Sequence, residues 1–395
     1  MAQVDMSLAN IPLTLYVHLP WCVKKCPYCD FNSHAVKDSL PEREYLRALQ
    51  ADLAFAMDET ESRPLEAIFF GGGTPSLFSP GAFAELLADI AQRLPLRPDV
   101  EITLEANPGT IEHGRFADYR AAGINRVSLG AQSFDNDALR TLGRIHDAGS
   151  IHKAAEELHA AGLENFNIDL MTALPGQTLE SALQDVDTAL SLEPQHVSLY
   201  ELTLEPNTLF AVRPPAGLPD EDTAIDILEA TRGRLATAGF ERYEVSAFAR
   251  PGRQSRHNLN YWTFGDYLAI GAGAHSKMTS ATSSQFKVLR QSRQRHPDKY
   301  LATAGTAAAI QETRLLDAGE RQFEYMLNRS RLLAPAPFSE FEASTGLDAD
   351  ALVPRLSALA AQQLVELTDG QWAVTARGLE LLNDVQAAFL PGERG

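Results

Sequence analysis

The stretch "LTLYVHLPWCVKKCPYCDF", residues 13–31, joins a largely apolar run to three cysteines. The run over residues 13–19 predicts a strand with both faces covered, because it is apolar nearly throughout. Cys22, Cys26 and Cys29 follow it in the next loop, and the chain contains only these 3 cysteines. A cysteine loop placed directly after a strand is therefore the starting point for predicting both the fold and the site.

An apolar run, a turn and an amphipathic helical stretch recur in that order through the first half of the chain. Six such units predict parallel strands with crossover helices, and a barrel or partial barrel fits them better than an open sheet. The predicted strands cover residues 13–19, 66–72, 100–106, 126–132, 165–171 and 196–202, and the helices between them include residues 42–57, 81–94, 150–162 and 179–192.

The alternation ends after residue 204, where a proline-rich loop leads to a predicted helix at residues 222–239. From about residue 310 the pattern is helical, with a hairpin around Asp369 and Gly370, which indicates a small winged-helix-like domain. The α/β chain is thus predicted to contain a partial (β/α)6 barrel at residues 1–240, a connecting region at residues 241–305 and a C-terminal helical domain at residues 306–395.

The composition is that of an ordinary globular protein, with 45% apolar and 22% charged residues. The net charge of -18 argues against a nucleic-acid binder, which needs lysine and arginine to contact phosphates. The basic stretch at residues 286–300 is interpreted as a solvated surface segment. No apolar run approaches the ~20 residues of a membrane span.

The first 20 residues lack the basic start, apolar stretch and cleavage site of a secretory signal, so we expect a cytoplasmic protein. Thiols stay reduced in the cytosol, and clustered cysteines there indicate metal binding or catalysis. Three interpretations remain open. The thiolates could bind zinc with His18 or His34; Cys26 and Cys29 could form a redox pair; or all three could hold a 4Fe-4S cluster with one iron open.

Polar or glycine-rich motifs follow the other predicted strands, on the side where barrel loops build active sites. The glycines of "FFGGGTPS" allow close backbone approach and are expected to offer amide donors to a ligand. Pro27, Tyr28 and Phe31 are expected to shield the cysteine loop from water. The candidate binding residues at the strand ends are Gly72, Gly73, Thr74, Glu105, Gln132 and Asp169, with Arg144 on the next helix.

The CxxxCxxC motif after the first strand resembles that of the radical SAM proteins. This resemblance implies a 4Fe-4S cluster on Cys22, Cys26 and Cys29, with S-adenosylmethionine at the open iron. The motifs "YVHLPWCVKKCPYCDF", "GGGTPS", "EANPG", "GAQSF", "LGRIH" and "DLMTALPGQT" together resemble the oxygen-independent coproporphyrinogen III oxidase group. By that resemblance Tyr16, Gly72 and Glu105 match contacts of one S-adenosylmethionine, and Tyr28, Gly73, Thr74, Gln132, Arg144 and Asp169 match contacts of a second.

Two features depart from the oxidase. Phe31 stands where the oxidase has a fourth cysteine, and the oxidase's long N-terminal extension is missing. The string "RHNLNYW", residues 256–262, instead resembles the HNxxYW signature of the haem chaperones of this group. A histidine can ligate haem iron, and aromatic side chains suit a porphyrin face. The alternative for this string is a buried aromatic turn with a capping His-Asn pair.

The resemblance therefore implies a haem chaperone that binds haem through His257, Asn258, Tyr261 and Trp262 and transfers it to acceptor proteins. The expected acceptors are respiratory-enzyme subunits or a haem-storage protein. Peripheral membrane contact and a homodimer are compatible with this function. The alternative function is porphyrinogen oxidation, in which a deoxyadenosyl radical attacks propionate side chains; the replacement of the fourth cysteine by Phe31 argues against it.

Overall fold

The computed structural model describes residues 11–57, 63–110, 115–282 and 285–391. Residues 1–10, which carry half of the stretch examined for a secretory signal, lie outside these ranges. The predicted domains begin at residue 1 and end at residue 395, and both of these residues also lie outside the described ranges.

One large sheet dominates the described part of the chain. Its strands run in the order β12-β11-β10-β9-β1-β2-β3-β4-β5-β6-β8-β7 when numbered along the sequence. They are β1 Leu13–Leu19, β2 Leu65–Gly72, β3 Leu96–Ala106, β4 Arg126–Gln132, β5 Phe166–Thr172, β6 His196–Glu201, β7 Glu241–Arg242, β8 Ala247–Ala249, β9 Asp266–Ile270, β10 His275–Thr282, β11 Gln285–Arg293 and β12 Ile310–Leu315.

The helices that connect and flank these strands cover the sheet and form the C-terminal part of the molecule. They are α1 Glu42–Ala56, α2 Pro80–Arg93, α3 Arg115–Ala121, α4 Asn136–Thr141, α5 Ala148–Ala160, α6 Leu179–Ser191, α7 Leu209–Val212, α8 Glu221–Thr237, α9 Arg256–Trp262, α10 Pro297–Thr303, α11 Ala318–Arg329, α12 Phe338–Thr345, α13 Val353–Ala361, α14 Ala376–Glu380 and α15 Leu382–Ala387. Four short 3-10 turns lie at Pro75–Leu77, Pro108–Thr110, Ala307–Ala309 and Ala349–Ala351 within the described ranges.

Strands β1 to β6 are parallel to one another, which confirms the predicted α/β partial barrel. They are apolar because helices cover their outer side, and β1 shows the consequence: Leu15 and Val17 are fully buried, whereas Tyr16 between them is half-buried and turns inward. Alternate side chains of each strand therefore point into the barrel interior.

The sheet extends beyond the six predicted strands on both sides. β9 adds a further parallel strand next to β1, and β10, β11 and β12 continue from it as antiparallel strands. Residues 286–300 form most of β11 and the start of α10, and the interpretation of this stretch as a solvated segment is wrong for buried members such as Val288, Ser292, Arg293, Gln294 and Tyr300. Arg293 in this segment is fully buried and pairs with Asp52 at 2.9 Å.

The C-terminal residues form a second core beside the sheet. A small sheet of Ala336–Pro337, Gln371–Val374 and Val365–Thr368 packs with α12 and α13. The predicted hairpin lies in this sheet, and Trp372 is buried at the centre of the core. Two short helices, α14 and α15, follow this hairpin, and the backbone of Leu381 between them leaves helical geometry. Among the helices of the described ranges, none has the length and apolar composition needed to cross a membrane.

Candidate functional site

A cavity of about 580 Å³ lies along the inner face of the partial barrel. Residues of all six strands β1 to β6 and of α9 line it. The structure brings the residues predicted for the iron–sulfur cluster, S-adenosylmethionine and haem to this one cavity, whereas the zinc-ligand candidates His18 and His34 are not among its lining residues. The residues in the lining are Tyr16, Cys22, Cys26, Tyr28, Cys29, Gly72, Gly73, Thr74, Glu105, Gln132, Arg144, Asp169, His257, Asn258, Tyr261 and Trp262.

The three cysteines lie in the loop that follows β1, and each is a half-buried free thiol. Two bonds fasten this loop to the glycine-rich turn after β2: the Gly73 amide donates to the Leu19 carbonyl at 2.8 Å, and the Thr74 amide donates to the Trp21 carbonyl at 2.7 Å. Burial is the largest cause of a raised pKa at Cys22, and the nearby Cys29 and Cys26 add to it.

In the described ranges no three His, Cys, Asp or Glu side chains are gathered closely enough to hold a single metal ion. Phe31, which is predicted to shield the loop, lines the cavity beside the cysteines and is 61% exposed. Pro27 and Tyr28 are half-buried, as a protected loop requires.

The glycine-rich turn is held in place by steric limits. Gly72 has a φ of 114°, and a Cβ there would lie 2.5 Å from the His18 ring. A Cβ on Gly73 would lie 2.5 Å from the Trp21 carbonyl oxygen. The expectation that these amides face a ligand is wrong, since Gly72 donates to Glu105 Oε2 at 3.1 Å and Gly73 donates to the β1 end. The glycines therefore allow two chain segments to touch.

Two carboxylates face the middle of the cavity. The pKa of Glu105 is raised to about 7, mainly by burial and then by the charge of Asp169, while the hydrogen bond from the Gly72 amide opposes the shift. Burial also raises the pKa of Asp169, which accepts bonds from Asn167 at 2.8 Å and Ser128 at 3.1 Å. Asp169 lies in the middle of β5 and not at its end, so its predicted position on the cysteine side is wrong.

Arg144 connects the cysteine loop to the barrel. It lies in the loop between α4 and α5 and not on a helix as expected. Its Nη1 donates to Cys26 Sγ at 3.6 Å and to Tyr28 Oη at 3.4 Å, and its Nη2 donates to the Gly130 carbonyl at 2.9 Å. The guanidinium therefore places a positive charge beside a cysteine sulfur. Gln132 ends β4 close by with a φ of 71°, an uncommon conformation for its type.

Helix α9 packs against β1, β2 and β9 and contributes one wall of the cavity. The ring of His257 stacks on Phe69 at 4.9 Å and on Tyr16 at 6.0 Å between centroids. Its Nδ1 is buried and has no hydrogen-bond partner. Burial, followed by the charge of Arg126, lowers the pKa of His257 to about 4, so the imidazole is neutral at pH 7.

The rest of α9 adds aromatic surface. Tyr261 and Trp262 meet edge to face at 5.1 Å, and the buried indole Nε1 of Trp262 has no hydrogen-bond partner. The helix begins because the Ser255 side chain accepts a bond from the Asn258 amide, so the alternative of a capping His-Asn pair is wrong.

Comparison with known proteins finds relatives that match nearly the whole chain. Residues 16–189 match the Radical SAM superfamily, and residues 316–381 match the HemN C-terminal domain. The chain is 47% identical over 386 residues to the "Heme chaperone HemW" of Haemophilus influenzae, covering 97% of this chain and 99% of that protein. It is also 47% identical over 380 residues to the Escherichia coli protein of the same name, covering 96% and 98%.

The chain belongs to the HemW family.

The solved structure of the oxygen-independent oxidase shows how far the fold is shared beyond the HemW family. That structure, titled "Coproporphyrinogen III oxidase (HemN) from Escherichia coli is a Radical SAM enzyme", superposes with a TM-score of 0.81. The match covers 98% of this chain and 91% of the oxidase at 24% identity. A likeness at this level establishes a common fold, and the chemistry of the HemW-family chain must be argued from its own residues.

Sequence reasoning found Gln132 and Asp169 but missed the other polar residues on the inner face of this HemW-family barrel. Every second residue of β4, β5 and β6 faces the cavity, because side chains alternate along a strand. A polar residue at every second position was the signal that could have found them. The inward set is Arg126, Ser128, Gly130 and Gln132 on β4, Asn167, Asp169 and Met171 on β5, and His196, Ser198 and Tyr200 on β6.

Proposed function

We propose that this protein is a haem chaperone, which binds haem in the barrel cavity and passes it to acceptor proteins. The observation that carries the proposal is the His257 imidazole. It is neutral, buried and unpartnered at Nδ1, and it faces a cavity walled by aromatic rings. A neutral imidazole nitrogen is a good ligand for haem iron.

The walls around His257 suit a flat apolar ligand. Tyr16 and Phe69 stack near the imidazole, and Tyr261 and Trp262 extend the aromatic surface along α9. A volume of about 580 Å³ lies in the range of cofactor pockets. The relatives named "Heme chaperone HemW" support the same function through their names and their nearly full coverage.

The cysteine loop fits a 4Fe-4S cluster held by three thiolates. Cys22, Cys26 and Cys29 are free, close in sequence and open to the cavity, and Arg144 supplies a donor to one sulfur. Such a cluster would supply redox chemistry and one iron open to a ligand. We propose S-adenosylmethionine as that ligand, with Glu105 and Tyr16 toward its methionine part. The residues matched to a second S-adenosylmethionine, among them Gln132, Arg144 and Asp169, line the same cavity.

A haem titration tests the proposal. We expect the purified protein to bind haem with a Soret band typical of histidine ligation, and His257→Ala to weaken binding by about tenfold or more, or ~1.4 kcal/mol. The matched control is His152→Ala, because His152 lies on α5 outside the cavity lining. Haem should then move from the wild-type protein to an added apo-haem protein. Binding that His257→Ala leaves unchanged would contradict the proposal.

Two further measurements address the alternatives. Anaerobic reconstitution is expected to give about four irons and four sulfides per chain, and one bound zinc with no iron–sulfur absorption would contradict the cluster. Incubation with coproporphyrinogen III, S-adenosylmethionine and a reductant is expected to yield no protoporphyrinogen. Formation of that product would favour the oxidase function instead.

A further inference from the structure

Arg126 is a buried cation at the end of the cavity farthest from the cysteines. It is the first residue of β4, and it is 2% exposed. Its guanidinium lines the cavity, yet it makes no hydrogen bond to any residue in the described ranges, and its Nε is buried without a partner. The nearest charge is Glu101, whose Oε2 lies 3.9 Å from Nε, which is too long for a hydrogen bond.

Glu101 is already engaged by the first turn of α9. Its Oε1 accepts from the Arg256 amide at 3.0 Å and from the His257 amide at 3.5 Å. It therefore neutralises Arg126 only in part and leaves the guanidinium N–H groups free. A buried charge without hydrogen bonds is costly, so a group retained in this state is expected to meet its partner in a ligand.

The other polar neighbours of Arg126 satisfy one another. His196 Nδ1 bonds Asn167 at 2.7 Å, and His196 Nε2 bonds Tyr243 at 2.8 Å. Burial, followed by the charge of Arg126, lowers the pKa of His196 well below its usual value, so this ring carries no charge. Asp169 is bonded to Asn167 and Ser128. Apart from the distant Glu101 carboxylate, no side chain of the described residues accepts a hydrogen bond from the Arg126 guanidinium.

We propose that Arg126 binds a carboxylate of the cavity ligand, and that this carboxylate is a haem propionate. A guanidinium suits the role, because it can hold a carboxylate through two parallel hydrogen bonds. The assignment rests on the proposed haem function and adds to it a second anchor, distinct from the iron ligand. Arg126 would fix which edge of the porphyrin faces the closed end of the barrel.

The position in the barrel favours the propionate over the carboxylate of S-adenosylmethionine. From Arg126 to Gln132, β4 advances about 20 Å at ~3.3 Å per residue. The cysteine loop follows the carboxyl end of β1, the same end as Gln132, because β1 to β4 are parallel. Arg126 lies at the opposite end, where Glu101 joins it to the helix that carries His257.

The test compares haem with haem dimethyl ester, in which both propionates are esterified and the iron and ring are unchanged. We expect the wild-type protein to bind haem at least about tenfold more tightly than the diester. In Arg126→Gln the ratio of haem affinity to diester affinity should fall to near one, because haem binds more weakly while the diester binds as before. Arg115→Gln is the control, because Arg115 donates to the Leu77 and Phe78 carbonyls outside the cavity.

Other arms separate the proposed site from the proposed function. His257→Ala should weaken haem and diester equally and keep their ratio. Equal wild-type affinity for both ligands would overturn the carboxylate site while leaving haem binding intact, whereas no binding of either would overturn the haem function itself. Weaker S-adenosylmethionine binding in Arg126→Gln, with haem unaffected, would move the carboxylate to that ligand and overturn the assignment.

The comparison of haem with haem dimethyl ester in the wild-type protein needs no variant, so it tests the proposal even where a variant does not fold. Arg126→Lys offers a second variant that keeps the charge and loses the planar fork. We expect it to unfold at the wild-type temperature and to show a preference between those of the wild type and Arg126→Gln. Equal affinities of Arg126→Lys for haem and for the diester would contradict a role for the positive charge.

Discussion

Single residues in this protein are fixed by contacts between segments that are distant in the sequence. Gly73 shows this clearly, because a side chain there would collide with the backbone of Trp21 in the cysteine loop. Only glycine fits at this position of the turn, because the cysteine loop packs directly against it. The position of the three thiols therefore depends on the absence of a Cβ at residue 73.

We expect Gly73→Ala to lower the free energy of unfolding by about 1–3 kcal/mol, since overpacking forces the backbone to shift. It should also reduce the iron bound after reconstitution. The matched control is Gly233→Ala, because a Cβ at Gly233 in α8 meets nothing within 4 Å. That variant should gain up to about 1 kcal/mol through helix propensity. Urea unfolding measures both, and a stable, fully reconstituted Gly73→Ala would contradict the steric argument.

The carboxyl group of Glu105 gives a pH dependence at the residue scale. Its pKa of about 7 lies above the ordinary value, so the group becomes neutral as the pH falls through 7 and then loses its attraction for a cationic ligand. We expect the affinity advantage of the wild type over Glu105→Gln for S-adenosylmethionine to fall about tenfold from pH 8 to pH 6. Equilibrium dialysis at both pH values checks this, and a pH-independent advantage would be evidence against Glu105 as the contact.

At the scale of elements, the cysteine loop is tuned by the loop that carries Arg144. The Arg144 donor beside Cys26 stabilises negative charge on sulfur, and donors to cluster sulfurs raise the reduction potential. We expect Arg144→Met to lower the potential of the reconstituted cluster by roughly 60 mV, one tenfold step for a one-electron couple. Arg140→Met on α4 serves as the control, since Arg140 is exposed and pairs with Asp137. Equal potentials in redox titrations of the wild type and Arg144→Met would refute this.

The sequence predicted some elements well and others poorly for physical reasons. β1 to β6 could be recognised because helices cover their outer faces, which requires apolar side chains there. β11 could not, because its arginines resemble a solvated segment until the tertiary partner of Arg293 is known. The cysteine motif and the glycine turn depend on local spacing and were found. Arg126 and His196 depend on which face of a strand turns inward, which apolar content alone does not show.

For the whole molecule, buried ion pairs join the barrel to the strands that extend it. Arg293 on β11 pairs with Asp52 on α1, and Tyr300 donates to the same carboxylate at 2.9 Å. Asp52 Oδ2 also accepts the Gly271 amide at 3.2 Å. These contacts connect the first helix of the barrel to residues more than two hundred positions later, so this carboxylate couples the two parts of the sheet.

We expect Arg293→Met to lower the free energy of unfolding by about 3–5 kcal/mol, because it leaves a buried carboxylate without its cation. Arg234→Met is the control, since the Arg234–Asp187 pair is half-exposed and should contribute less than about 1 kcal/mol. Chemical unfolding followed by circular dichroism measures both. Similar losses of unfolding free energy in the two variants would show that burial does not increase the contribution of the Arg293–Asp52 pair to stability.

The pairing of β1 with β9 has a consequence for the order in which the protein is made. β1 lies between β2 and β9, and more than two hundred residues of chain separate β1 from β9. During synthesis the cysteine loop and its glycine turn leave the ribosome long before α9 and β9 do. The cysteine side of the cavity is therefore synthesised before the side formed by His257, and β1 obtains its second neighbouring strand only after β9 has been made.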